Sequence, residues 1–305
     1  MGEFDVLHHI YAASGDLGPN VIVPPGDDMA VVAFSAKQML VAVDQLVDGR
    51  HVDLARTPLK LVGRKAITRS LSDIAAMAAR PVVTLAAATL PQSFSDAQAC
   101  ALADAMRETA ATYGAPLVGG DLAHHVGDGP LTCSVTVIAM PGPIGPVTRR
   151  GAQAGDGLYV TGAIGGSLDD DGGGYHLTFE PRIDVGLWLA RIVGERLHAM
   201  IDISDGLGRD CGHLAQDSGV IIEVEASAIP CRAGRAVEQA IADGEDYELL
   251  FTAAGEVPIV AADGTPITRI GTARATTPEE EPGAMMSVNG VMQRIDEHGW
   301  EHRAT

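Results

Sequence analysis

Residues Pro141-Gly142-Pro143-Ile144-Gly145-Pro146 place three prolines and two glycines within six positions. No helix or strand tolerates that density, because each proline removes a backbone donor and fixes φ while each glycine costs conformational entropy. The chain is therefore expected to fold as two bodies, residues 1–141 and 147–305. A length of 305 residues is enough for each to hold its own core.

Before the break, Met29–Phe34 and Met39–Asp44 read as short Val-rich strands. Pro58 opens a helix to Ala79, with Val62, Ile67, Leu71, Ile74 and Met77 near helical spacing, and Pro81 ends it. Val82–Leu90 reads as a buried strand. Ser95 is a natural N-cap for an Ala-rich helix reaching Tyr113, stopped by Gly114. Leu117–Val118 leads into Gly119-Gly120-Asp121, and Leu131–Met140 alternates as a strand.

After the break the pattern restarts. Gly157–Thr161, Ala199–Asp202, Val220–Val224, Tyr247–Thr252 and Thr268–Gly271 read as strands. Asp184–Gly194, Gly206–Ser218 and a segment near Arg232–Ala242 read as helices, and Thr276–Gly283 as an exposed loop. Strands and helices mix without strict βαβ alternation, so the fold class is α+β with two domains.

Six acidic clusters recur at the edges of short apolar runs: Gly26-Asp27-Asp28, Val43-Asp44, Leu71-Ser72-Asp73, Gly119-Gly120-Asp121, Asp202-Ile203-Ser204-Asp205-Gly206 and Gly244-Glu245-Asp246. Asp and Gly also favour turns for conformational reasons. A strand ending in Asp, however, sets a carboxylate at a sheet rim, and several such carboxylates repel unless a hard divalent cation lies among them. The pattern points to a multi-metal site. Asp73 falls inside the helix on an otherwise apolar face, where a carboxylate needs a cation or arginine partner. Asp205 could simply cap the helix after Gly206, but capping does not account for Asp202.

The formal charge of −19, with lysine only at 37, 60 and 65, argues against nucleic acid or an anionic membrane as partner. No apolar run approaches the ~20 residues of a membrane span, and the acidic start Met1-Gly2-Glu3-Phe4-Asp5 lacks the basic opening of a signal peptide. Cytoplasmic residence is the expectation. Cys100, Cys133, Cys211 and Cys231 show neither CxxC pairing nor zinc spacing. His51 and His124-His125 lack further ligands at metal spacing. There is no GxxxxGK[ST] loop, so a nucleotide's phosphates would have to be met by metals and by arginines such as Arg149 and Arg150.

Taken in order, Gly26-Asp27-Asp28, Asp44-Gln45-Leu46-Val47-Asp48-Gly49-Arg50-His51, Ser70–Met77, Val118–Asp121, Arg149-Arg150-Gly151-Ala152, Met200–Leu207, Gly244–Phe251 and Gly299-Trp300-Glu301-His302 resemble the thiamine-monophosphate kinase family. The resemblance spans essentially the whole chain. It implies an aminoimidazole-ribonucleotide-synthetase-like architecture, with an N-terminal sheet that builds a homodimer barrel and an α/β C-terminal domain. It further implies Mg²⁺ ligands at Asp27, Asp44, Asp73, Asp121, Asp202 and Asp205. ATP contacts would come from Gly120, Arg149 and Ser204, and thiamine-monophosphate contacts from His51, Glu245 and Trp300, with Asp205 and Arg149 in catalytic roles.

The chain departs from the family pattern at Ala42 and Val43, where threonines are usual, and at Ser70, Leu122 and Ala103, where Asn, Thr and Tyr are usual. The implied reaction is ATP-dependent phosphorylation of thiamine monophosphate. The alternatives are a related ATP-dependent enzyme acting on another small metabolite and a low-turnover nucleotide- or metal-binding paralogue.

Overall fold

The computed structural model describes residues 9–10, 12, 17–23, 31–35 and 37–300. The chain divides into two compact units. The N-terminal unit holds residues 1–74, 80–140 and 170–173; the C-terminal unit holds 75–79, 141–169 and 174–305.

In the N-terminal unit, β1 (Val21–Val23) and β2 (Val31–Val32) form a small antiparallel pair. The main sheet has four strands: β3 (Leu40–Val47), β4 (Arg80–Leu90), β5 (Leu117–His124) and β6 (Thr132–Met140), in the order β3-β6-β4-β5. β4 runs parallel to β5 and antiparallel to β6. Alternation along β6 buries Cys133, Val135, Val137 and Ala139. On edge strand β3, paired with β6 alone among the described residues, the alternate residues Val41 and Val43 remain more than 60% exposed, an apolar strip on a sheet edge.

Helix α1 (Leu59–Ala76) is wrapped almost all round: Val62, Ile67 and Leu71 are buried, and so are Lys65, Thr68, Ser70 and Ser72. It stops three residues short of Ala79, where Ala78 takes a left-handed φ of 49°. Helix α2 (Asp96–Thr112) opens with a full capping box, the Ser95 hydroxyl accepting from Gln98 N–H while the Gln98 side chain accepts from Ser95 N–H. α1 crosses α2 at Gly63, where a Cβ would lie 2.7 Å from that of Ala105. Only glycine permits that approach.

The C-terminal unit is built on a seven-stranded sheet. Its strands are β7 (Gly157–Thr161), β8 (Leu197–Asp202), β9 (Val220–Glu225), β10 (Leu249–Ala253), β11 (Ile267–Ala275), β12 (Gly283–Val288) and β13 (Val291–Arg294), ordered β13-β12-β9-β11-β7-β10-β8. Every pairing is antiparallel except β12 with β9. The central strands β7 and β10 are buried throughout, as expected for strands covered on both faces. The helices are α3 (Ile183–Ile192), α4 (Leu207–Ser218) and α5 (Val237–Ala242).

α4 lays Leu207, Cys211, Leu214 and Ala215 into the core shared with β8, β9 and β12. α5 is shorter than its sequence suggests, because Gly234 adopts φ 77° and the helix begins only after Ala236. The β12–β13 hairpin has no counterpart in the sequence reading. Its segment Ala284-Met285-Met286-Ser287 lacks the β-branched residues that mark a strand, and its place is set by pairing with β9, about 60 residues away. Among the described residues no helix is long and apolar enough to cross a membrane.

Candidate active site

The C-terminal unit gathers its acid clusters around one turn. β8 delivers Asp202 at its last position, 4% exposed, and the chain continues through Ile203-Ser204-Asp205 to Gly206, whose φ of 105° starts α4. The Gly244–Glu248 segment runs alongside: Ile203 N–H donates to Glu248 O, Tyr247 N–H to Ile203 O and Glu245 N–H to Ser204 O, each at 2.8 Å. Glu245 and Tyr247 both hold left-handed φ values, 53° and 52°, an arrangement that costs backbone energy and persists because the surroundings enforce it. Gly244 is required here, since a Cβ would lie 2.6 Å from Ser204 O. On the other side Trp300 N–H donates to Asp205 O at 2.9 Å. Ser204, Asp205, Glu245 and Trp300 are thereby bound into one main-chain assembly.

Asp205 does not cap α4. The N-cap is Gly206, without a side-chain bond, and the acid that serves the turn is Asp210, one turn into the helix. Its buried Oδ2 accepts from both Ser204 N–H and Asp205 N–H at 3.1 Å. Burial pushes the Asp210 carboxyl well above the ordinary carboxylate range; the nearby charges of Asp205 and Asp202 add to this, and Arg149 opposes it. Asp210 is not among the candidates drawn from the sequence. A signal for it is present, however: Leu207, Asp210, Cys211 and Leu214 form an i, i+3, i+4, i+7 stripe with an acid in it, the same pattern that singles out Asp73.

Arg149 sits on the loop preceding Gly151, and its charge bears on both Asp210 and His213. His213 is held below its ordinary pKa, first by burial and then by Arg149, with Asp205 pulling the other way.

The two acids of Gly244-Glu245-Asp246 differ sharply. Asp246 is fully buried and committed to Gly165 N–H at 3.0 Å, to the Ser167 hydroxyl at 2.6 Å and to Arg232. Glu245 is less buried and lies 3.3 Å from His176 Nδ1. Glu248 is buried as well, accepting from the Thr161 hydroxyl at 2.6 Å, Arg182 Nε at 2.7 Å and the Tyr175 hydroxyl at 3.1 Å. Burial and the Glu248 charge push the Tyr175 phenol up to about 12. Asp246 and Glu248 thus anchor the strained segment, while Glu245 lies against the buried His176 ring.

In the N-terminal unit Asp44 and Asp121 do not end strands. Asp44 lies inside β3 and Asp121 inside β5, because both strands continue past the acid under the pairing of β6 and β4. Asp44 shares a cross-strand row with Val135, Ala86 and Gly120; Asp121 shares the next row with Ala87, Ser134 and Gln45. Successive rows face opposite sides, so the sheet directs Asp44 toward the buried side and Asp121 to the other. Asp44 lies 4.0 Å from Arg69 Nε on α1, and half-buried Asp73 follows Arg69 by one helical turn.

A Cβ on Gly120 would fall 1.9 Å from Ala86 O, so the backbone is bare there by necessity. His51 Nδ1 accepts Val47 N–H at 2.9 Å, which puts the ring proton on Nε2, and its carbonyl takes the buried Lys65 ammonium at 2.6 Å. Asp27 lies outside the described residues.

The oxygen-only donors suit Mg²⁺. Among the described residues no three acid, His or Cys side chains converge as a finished metal cage. Mg²⁺ does not need one, since it is commonly held by one or two carboxylates, with water and substrate phosphates completing its shell.

A family model described as AIR synthase related protein, N-terminal domain, matches residues 26–140. The chain is 35% identical over 274 residues to the thiamine-monophosphate kinase of Rhodopirellula baltica, covering 83% of this chain and 84% of that one. Among solved structures, thiamine-monophosphate kinase from Stenotrophomonas maltophilia K279a aligns with a TM-score of 0.73 at 29% identity, covering 94% of this chain and 96% of that one. AaThiL complexed with AMPPCP and TMP aligns with a TM-score of 0.70 at 26% identity, covering 99% and 97%. The fold and these relatives together define an α+β kinase of the AIR-synthase-like architecture. The chain belongs to the thiamine-monophosphate kinase family.

Proposed function

We propose that this protein transfers the γ-phosphoryl group of ATP to the phosphate of thiamine monophosphate, yielding thiamine diphosphate and ADP. The observation that carries the reading is the main-chain assembly tying Glu245 and Trp300 to the Ser204-Asp205 turn. It lets one element serve both nucleotide and acceptor. The AaThiL complex with AMPPCP and TMP supports the same pairing of ligands.

In the C-terminal unit we assign Asp202 and Asp205 to Mg²⁺, Ser204 and Arg149 to ATP, and Glu245 and Trp300 to thiamine monophosphate. Asp205 and Arg149 act on the reacting groups. In the N-terminal unit Asp44 and Asp73, with Asp27 beside them in the sequence pattern, are assigned to Mg²⁺, as is Asp121 from the opposite face of the sheet, so that these acids would serve separate ions; Gly120 is assigned to ATP and His51 to the acceptor. Bound Mg²⁺ would neutralise phosphate charge, the main obstacle when two anions approach.

The chain's own contribution is alignment and charge. Arg149 offers a permanent cation, the Ser204-Asp205 turn is held rigid from beneath by Asp210, and the Trp300 ring, 47% exposed, offers a flat face for stacking. The acceptor phosphate is already anionic near neutral pH, so no general base is needed.

The exposed Val41 and Val43 on edge strand β3 support a symmetric homodimer closed through that sheet, and cytoplasmic residence suits the reaction. Incubation with ATP, Mg²⁺ and thiamine monophosphate should produce thiamine diphosphate. ADP release without that product would overturn the acceptor, and no ADP release would overturn the kinase reading.

A further inference from the structure

Arg149 lies on a loop with its side chain in solvent, yet the main chain beneath it is held on every side. Before it, Met200 N–H donates to Thr148 O at 2.9 Å, binding the loop to the β8 edge. At Arg149 itself, the Ser218 hydroxyl donates to the Arg149 carbonyl at 3.1 Å. After it, Gly151 N–H and Ala152 N–H both donate to that same hydroxyl oxygen, each at 3.1 Å. A serine hydroxyl has one proton to give and two lone pairs to receive, and all three are spent on this loop.

None of this serves Ser218's own helix. The end of α4 is closed by Gly219 in the left-handed conformation, whose N–H reaches Ala215 O and Gln216 O. Gly151 fits only as glycine, with φ 134° and a would-be Cβ 2.4 Å from His198 O, so the loop cannot shift toward β8 to compensate for a lost bond.

We infer that Ser218 is a positioning residue for Arg149, its hydroxyl fixing the loop so that the guanidinium is presented to the transferring phosphoryl group in one place. This rests on the assignment of Arg149 under the proposed function. An exposed arginine on a loosely held loop would still bind phosphate by charge, but it would be misplaced in the transition state, where sub-ångström alignment governs rate. Ser218 thus bears on kcat more than on substrate binding.

The test is a double-mutant cycle on the full-length protein, with kcat and KM for both substrates measured for Ser218→Ala, Ser218→Thr, Arg149→Ala and the double Ser218→Ala/Arg149→Ala. We expect Ser218→Ala to lower kcat about tenfold with both KM values within about twofold. Ser218→Thr, which keeps the hydroxyl, should restore most of the rate. The double variant should be no slower than Arg149→Ala alone. Normal kcat in Ser218→Ala beside a crippled Arg149→Ala overturns the positioning role, as does a Ser218→Ala loss that persists in full on top of Arg149→Ala. An unimpaired Arg149→Ala removes Arg149 from the reaction and this inference with it.

Discussion

The Trp300 N–H donates to the carbonyl oxygen of Asp205 across 2.9 Å, fastening a residue five positions from the end of the chain to the turn that opens α4. Gly299 allows the contact, since at φ 133° a Cβ would come within 2.6 Å of the same oxygen. The tether is made by backbone atoms, Trp300 N–H and Asp205 O, and does not depend on the identity of the side chain.

Trp300→Ala should leave the main-chain tether in place and remove the ring. We expect KM for thiamine monophosphate to rise about tenfold, in line with roughly 1–1.5 kcal/mol for a stacked aromatic. KM for ATP and the unfolding midpoint should stay close to the parent. Steady-state kinetics with each substrate varied in turn distinguishes this from a general loss.

Asp210 tests how the turn is supported. Removing the acceptor in Asp210→Ala strands two N–H groups and should cost about 1–3 kcal/mol in urea unfolding. Asp210→Asn keeps an acceptor and removes a buried charge. The folded-state pKa of Asp210 is raised above the unfolded value of 3.8, so its contribution is fully present below that value and is lost as pH rises through the folded pKa. The Asn variant should accordingly gain stability relative to the parent as pH rises above 3.8. A stability difference that does not change with pH would overturn the raised pKa.

His213 reports on Arg149 directly. Its folded pKa lies below 6.5, so the neutral ring's contribution to stability is lost as pH falls from about 6.5 through the depressed value. NMR titration of the His213 ring should show that pKa rising toward 6.5 in Arg149→Ala and falling further in Asp205→Asn. Absence of a shift in Arg149→Ala would place the guanidinium elsewhere.

Asp73 separates a structural acid from a metal ligand. Asp73→Asn keeps the shape and removes one charge, and turnover should fall by at least ~100-fold, about 2.7 kcal/mol in barrier, with partial rescue at high Mg²⁺. Circular dichroism should show an unaltered fold. Near-normal turnover would take Asp73 out of the site, and ATP affinity that survives excess EDTA would take the metals out of nucleotide binding.

Much of this protein is written locally. The Ser95 capping box, the alternation along β6 and the burial of β7 all follow from rules acting within a few residues, and each can be read along the chain. The Asp202–Gly206 and Gly244–Glu248 motifs are legible for the same reason, as short runs of unusual chemistry.

Pairing across long separations is what the tertiary structure decided. Whether Asp44 and Asp121 share a face depends on registers through β6 and β4, and a one-residue step sends a side chain to the other side. That Asp246, and not its neighbour Glu245, is committed to Gly165, Ser167 and Arg232 depends on those groups arriving from elsewhere in the chain. The uses of Asp210 and Ser218 exist only once α4 lies against loops from elsewhere in the chain. A hydroxyl or a carboxylate carries no mark of its partner; the partner is chosen by packing, and packing is a property of the whole fold.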